Sequence, residues 1–346
     1  MIEYKVGHDG KEKPVLKPLA IVLLYLICGL YAVFCGFFGK ISVLALLFLP
    51  LAVSAAVLGF LLCRPRVWHY LLLPFCAGIS FLCGGGFLGA VLTLDFFLIA
   101  LVTVLCLQRN LSYTATVGIA LLVILAVSVL GLLALVWEEG YSFSFTGAWD
   151  WWQDITGDFR LTLQKLIRVT ASGVGIEELL GAEKMSVGEL VTLVTSYYDS
   201  ALLLVPGLCG ALLLVLSYGC VALSFRALTV VPAFRAALVN KRIAFARPWG
   251  FFFLALWVLR IFLTTGNAFG IAMLNLYLCL LPGLAYVGFV GLWHSRRGPY
   301  GKIRVFPLVL LILCAVSLAM PSYLFSYTLP FLAFYGAVLT AVGNRH

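Results

Sequence analysis

Apolar residues run through this chain in long blocks, and short clusters of Lys and Arg separate one block from the next. An apolar helix needs about 20 residues to cross the hydrocarbon core of a bilayer. The blocks predict spans near residues 18–38, 41–63, 67–86, 87–107 and 113–136, then near 200–225, 249–266, 269–293, 305–320 and 322–342. The third and fourth come from one unbroken apolar run, Leu71 to Leu107, too long for a single crossing. A tight turn at Gly84, Gly85 and Gly86 divides it, because glycine tolerates the positive φ such a turn needs. The pattern predicts an all-α polytopic transmembrane bundle of about ten spans in a single membrane domain, 1–346, with an extracytoplasmic helical insert over 137–199.

Charge orients this map. With the first seventeen residues in the cytoplasm, 17 of the 23 basic residues fall on the cytoplasmic side, as the positive-inside rule requires. Lys40 and four residues of the insert (Arg160, Lys165, Arg168, Lys184) fall outside, and Arg260 lies within a span. Ten of the fourteen acidic residues lie between the fifth and sixth spans. Both termini are therefore expected in the cytoplasm, and the expected location is the inner membrane of a bacterial cell. The formal charge of +9 is a loop property rather than a sign of nucleic acid, so no nucleic-acid partner is expected.

Within the insert, Trp152, Ile155, Phe159, Leu163 and Leu166 recur at helical spacing, with acids early and Arg160, Lys165 and Arg168 late, an order that suits the helix dipole. This predicts an amphipathic helix lying on the outer leaflet or capping the bundle, although Gly157 weakens it by about 1 kcal/mol relative to Ala. Ser186 and Glu189 form the S-x-x-E pattern of a capping box. A single helix from there to Phe225 would be about 60 Å long, kinked at Pro206.

Composition agrees. Hydrophobic residues make up 63% of the chain and charged ones 11%, against about 25% charged in a soluble domain, which excludes a soluble fold. The ten cysteines lie in or beside apolar runs without a CxxC pair, and read as small core residues rather than disulfides or metal ligands. The N-terminus has no small-residue cleavage site after a short apolar core, so it reads as a first span. Ala32-xxx-Gly36, Ala52-xxx-Ala56 and Ala55-xxx-Gly59 are small-residue faces suited to close helix packing.

Outside the insert and the N-terminal tail, one acid, Asp95, and one base, Arg260, stand inside spans. An ionisable group there is costly and marks a candidate functional position. Asp95, eight residues below the glycine turn, lies about 12 Å deep. Arg260, twelve residues or about 18 Å above Pro248 at the inner surface, lies about 12 Å from the outer face of a ~30 Å core, so the two are expected to pair or to share one hydrated cavity. Two structural alternatives stand beside this: a salt bridge that only fixes packing, and Arg260 snorkelling outward past Thr264 and Thr265. Asn267 and Asn275, with Pro282, Gly283, Pro307, Pro321 and Pro330, suggest interrupted helices of the kind that line transporter sites. The candidate polar site is therefore Asp95, Arg260, Asn275, Thr264 and Asn267. No HExxH, GxSxG, Walker loop or paired intramembrane carboxylates are present, so no enzyme, metal or cofactor is expected. An enzyme site among Asp150, Asp154 and Asp158 is the minor alternative.

From about Gly188 onward, the SALLLVPGL run, FRALTV, ARPWGFFFLALWVL and NLYLCLLPGLAYVGFVGLWHSRRGPYGKIRVFPLVLLI together resemble the YybS-like family of uncharacterised bacterial membrane proteins. LFLPLAVSAAVLGFLL and the glycine-rich third span extend the likeness into the first half. That family is similar in its N-terminal spans to the substrate-binding components of energy-coupling-factor transporters. The resemblance implies uptake of a small solute with partner subunits supplying energy, although those components have six spans and lack the acidic insert. Five spans on either side of the insert would suit an inverted repeat. The competing expectation is a structural or regulatory scaffold with no substrate, holding envelope partners or anionic lipid on its basic loops.

Overall fold

In a computed structural model of the chain, residues 2–6, 12–37, 42–63, 67–173, 186–229, 231, 245–263, 265–295, 305–317 and 324–342 are described. The chain opens on a two-stranded antiparallel hairpin, β1 (Ile2–Val6) with β2 (Glu12–Leu16), in a register that places Ile2 opposite Leu16. This departs from a purely helical expectation. Asp9-Gly10 between two short runs is a hairpin signal that counting apolar blocks overlooks. Leu16 is buried and joins the first helical core.

The remainder is helical: α1 (Pro18–Gly36), α2 (Ser42–Leu62), α3 (Val67–Tyr70), α4 (Leu72–Leu82), α5 (Gly86–Gln108), α6 (Tyr113–Glu138), α7 (Phe145–Gly173), α8 (Val187–Leu202), α9 (Val205–Leu228), α10 (Arg247–Leu259), α11 (Ala268–Ser295), α12 (Val305–Ser317) and α13 (Leu329–Val342). A short π turn, Leu324–Thr328, leads into α13. Six helices, α1, α2, α5, α6, α9 and α11, are long and apolar enough to cross a membrane. The chain is thus a helical membrane protein by the length and composition of its helices. Helices α4, α10, α12 and α13 are apolar but only 11 to 14 residues long, so each rises about 16 to 21 Å, short of the ~30 Å hydrocarbon core. Ten apolar blocks are present, but ten full crossings are not established.

Proline position accounts for much of the shortening. Pro74, Pro248, Pro307 and Pro330 each stand in the first turn of a short helix, where a missing N–H costs nothing and the fixed φ starts the helix. Pro206 does the same for α9. The expected single helix from Ser186 to Phe225 is therefore two, separated by a turn at Leu203 and Leu204 rather than kinked. Pro282, expected to interrupt a helix, is carried inside a continuous α11. Pro321 lies outside the described residues.

The glycine turn is present where the apolar run demanded it: α4 ends at Leu82, Gly84 has φ +88 and Gly86 φ +51. Its compactness depends on close approach as well as on φ, since a Cβ on Gly85 would stand 2.8 Å from the Cα of Gly36 at the end of α1. The Ala32 and Gly36 face thus packs internally. Ala52, Ala55 and Ala56 of α2 are buried likewise.

Two cores result. The first joins α1, α2, α4, α5, α6 and α9, and the second joins α10, α11, α12 and α13. Helix α9 is the seam, packing on α2 and α6 on one side and on α11 on the other. The division is not five helices and five, because α9 completes the first core although it follows the insert. Helix α7 packs on α6 and α8, with Arg160 paired to Asp199 at 2.8 Å and the Tyr198 hydroxyl donating to the Thr156 carbonyl. Ile155, Phe159 and Leu166 of its apolar stripe stay exposed.

Two tests follow. In the second core, Gly288 and Gly336 bring α11 and α13 together so closely that a Cβ on Gly288 would collide with the Leu332 carbonyl. Gly288→Val should destabilise the protein by about 1–3 kcal/mol through overpacking, read from thermal unfolding in detergent; an unchanged transition would contradict this packing. The capping box is complete, with the Ser186 hydroxyl accepting from the Glu189 N–H and the Glu189 carboxylate accepting from the Ser186 N–H. Those donors hold the Glu189 carboxyl below the usual range. Because the folded value is the lower one, this stabilisation is complete above about pH 4.3, the unfolded value, and disappears as pH falls through the folded value. Proteolytic nicking before α8 should rise with acidification, and Glu189→Gln should remove that pH dependence while leaving a higher baseline.

Candidate functional site

Asp95 is the tenth residue of α5. The start of that helix is held by Glu138 at the end of α6, whose Oε1 accepts the Leu88 N–H at 3.0 Å. A carboxylate facing the first free N–H groups of a helix satisfies orphan donors and the positive end of the dipole together. Nine residues further, about 14 Å along the axis, Asp95 points into the first core with only 7% of its surface exposed. Its Oδ1 is buried without a hydrogen-bond partner. Tyr31 of α1 could have donated to it but instead donates to the Leu92 carbonyl at 3.2 Å and sets its ring edge-on to Phe96. Tyr31, Cys35 and Cys220 are within electrostatic range.

Arg260 belongs to the second core. It caps the C-terminus of α10, where a cation suits the dipole. Its Nη1 donates to the Tyr277 hydroxyl at 2.7 Å, and the guanidinium centre stands 5.1 Å from the Trp257 ring and 5.5 Å from the Tyr277 ring. Phe253 stacks on Tyr277, and Phe334 packs on Trp257. Cation–π contacts of this kind contribute about 0.5–2 kcal/mol. The expected Asp95–Arg260 pair is not formed: the two residues belong to different cores, and no hydrogen bond or ion pair joins them. Equal depth did not mean adjacency.

The asparagines do structural work that the chain's spacing does not announce. Asn275 of α11 spans the α8–α9 break: its Oδ1 accepts the Gly207 N–H at 2.6 Å, and its Nδ2 donates to the Leu203 carbonyl at 2.9 Å and to the Ile271 carbonyl at 2.9 Å. Gly207 makes this possible, since a Cβ there would stand 2.8 Å from the Asn275 Cα. Asn267 caps α11, its side chain accepting the Gly270 N–H and its carbonyl the Ile271 N–H. Thr265 ties the preceding turn to α8 through the Ser200 hydroxyl at 3.4 Å. Thr264 lies outside the described residues.

The four described residues of the expected site are therefore dispersed. Asn275 and Tyr277 are two positions apart on α11 and so point about 200° from one another, which puts the helix break and Arg260 on different faces. Sequence reading missed Glu138, Trp257 and Tyr277 as partners; an acid just before a loop and an aromatic three residues before a lone Arg were the available signals. Asp154 of the insert accepts from the Tyr141 hydroxyl at 2.7 Å, and that bond pushes the exposed Tyr141 phenol up. Among the described residues no group of three or more His, Cys, Asp or Glu side chains could hold a metal, and all ten cysteines are free. Compared with known proteins, the chain matches no family model, no curated protein and no solved structure.

Removing the bracket tests its role. Asn275→Ala leaves the Gly207 N–H and the Leu203 carbonyl without their side-chain partner, at about 1–3 kcal/mol for each buried group left unpaired. Asn275→Asp keeps the acceptor and should lose less; equal losses in thermal unfolding would refute the bracket.

Proposed function

We propose that this chain is a transport-related integral membrane protein that takes a small solute at the seam between its two helical cores. The observation that carries the reading is the broken α8–α9 helix, opened at Leu203 and Leu204 and spanned by Asn275 of the neighbouring α11. Transporters use broken helices, whose freed backbone donors and acceptors can face a solute, and this break stands at the end of the membrane-crossing α9 nearest the insert. Here the break lies where α9 meets α11, so relative movement of the two cores would act on it directly. Arg260, on another face of α11 from the break, is held by the Tyr277 hydroxyl and two aromatic rings and lies outside this site.

The same reading places the chain in a bacterial cell membrane with both termini in the cytoplasm and the insert outside. Helix ends meet in a consistent two-sided pattern that supports it: Gly36 lies against Cys83 and Gly85, and Leu88 bonds Glu138, at one end, while Tyr113 packs on Phe225 at the other. Basic residues gather beside the second end. The likeness to YybS-like membrane proteins points toward uptake with energising partner subunits. A scaffold function without a substrate is the second reading, favoured by the exposed apolar stripe of α7, which offers a surface to envelope proteins or lipid headgroups.

Affinity purification of the intact protein from its native membrane, with mass spectrometry of co-purifying proteins and small molecules, separates the two. A small molecule retained by the folded wild type is the expected result, with its recovery reduced in Asn275→Asp, the variant that keeps the acceptor facing Gly207. Recovery of envelope proteins with no small molecule, in wild type and variant alike, would establish the scaffold instead.

A further inference from the structure

Five buried side-chain polar atoms lack a hydrogen-bond partner among the described residues, and four of them lie in the first half of the chain: His69 Nε2, Ser80 Oγ, Asp95 Oδ1 and Thr103 Oγ1. An unpartnered polar atom inside a bilayer-spanning bundle is costly, and such groups are rare without a reason. Three of the four follow α5. Ser80 stands beside its first turn, since a Cβ on Gly89 would collide with the Ser80 hydroxyl. Asp95 is six residues beyond Gly89, about 9 Å, and Thr103 eight residues further, about 12 Å. The hydroxyls of Tyr31 and Thr93, bonded to the carbonyls of Leu92 and Ala90, lie between the first two levels. These groups stand at successive levels of α5 but not on one face: at 100° per residue Asp95 lies about 120° round the helix from Gly89 and about 80° from Thr103.

The surroundings of that carboxyl are otherwise apolar. The titratable groups facing Asp95 are Tyr31 and Cys35 of α1 and Cys220 of α9. On the helices packed in this core, the other charged residues are Glu138, occupied at the start of α5, and Arg226, in the last turn of α9. Among the described residues no cation pairs with Asp95. An ionised carboxylate in such a place is strongly disfavoured.

We infer that Asp95 is a proton-binding site: its carboxyl carries a proton while enclosed by α1, α5 and α9 and releases it when the first core opens to water. The step moves one proton between carboxyl and water and needs no other reactant. It deepens the transport reading by supplying a coupling ion.

The test needs no solute. The intact protein in lipid vesicles is treated with dicyclohexylcarbodiimide, which enters the apolar phase and reacts with protonated carboxyls, at values from about pH 5 to about pH 9, and the modified residue is located by peptide mass spectrometry. Label at Asp95 is expected at the acid end and should fall roughly tenfold per pH unit once the carboxyl begins to ionise. Asp95→Asn should abolish it, and Asp95→Glu, which keeps a carboxyl, should restore it. Folding of each variant is checked by thermal unfolding. Absence of label at every pH in folded protein, or label that does not change with pH, would overturn the inference. Either outcome would leave the solute-retention experiment untouched, and loss of the retained solute would leave this labelling unchanged.

Discussion

Inside a bilayer there is no water to satisfy a free N–H or C=O, so every backbone polar group must find its partner within the protein. Most of this structure follows from that constraint. Where a helix runs unbroken, the constraint is met automatically, and long apolar runs such as α5, α6 and α11 need nothing more than their own ladder. At several helix starts, a particular side chain meets it. Glu138 does so for α5, Asn267 for α11, Ser186 with Glu189 for α8, and Asn275 for the turn between α8 and α9.

These caps also tie distant parts of the chain together. Glu138 closes α6 against α5, and Asn275 fastens α11 to the start of α9, which is the element both cores share. Glycines permit the close approach at each of these places: Gly85 at the end of α1, Gly207 beneath Asn275, and Gly288 with Gly336 in the second core. Small residues and polar brackets take the part that hydrophobic burial takes in water, because lipid tails are as apolar as the side chains facing them. Arg260 fits the same economy by lying among Trp257 and Tyr277, whose rings and hydroxyl accept a cation without a second charge. Asp95 is the one carboxylate among the five described side chains that bury an unpartnered polar atom, beside His69, Ser80, Thr103 and Trp257.

The position of a residue along its helix could be read directly, since it depends only on counting along a helix of known rise. Asp95 falls ten residues into α5, and Arg260 meets α11 at Tyr277, also ten residues in. Their lateral separation was not readable, because it depends on which helices neighbour which. The break at Leu203 was half legible: Pro206 marked a disturbance, but a kink and a restart differ only in whether a partner such as Asn275 stands ready to hold the freed groups. The shortness of α4, α10, α12 and α13 was hidden for a related reason, since an apolar run reports what tolerates lipid and not where the ladder stops.

By itself, then, the sequence determined that the chain is a helical membrane protein, where its glycine turn falls, and that its insert carries an amphipathic helix and a capping box. All of these are one-dimensional properties, set by period, local capping chemistry and the cost of charge in lipid. Only the tertiary structure decided that Asp95 and Arg260 lie in separate cores, that α9 joins those cores, and that Asn275 holds a helix open. Those outcomes rest on contacts between residues far apart in the chain, such as the 68 positions that separate Gly207 from Asn275, and no local pattern encodes which distant partner will arrive.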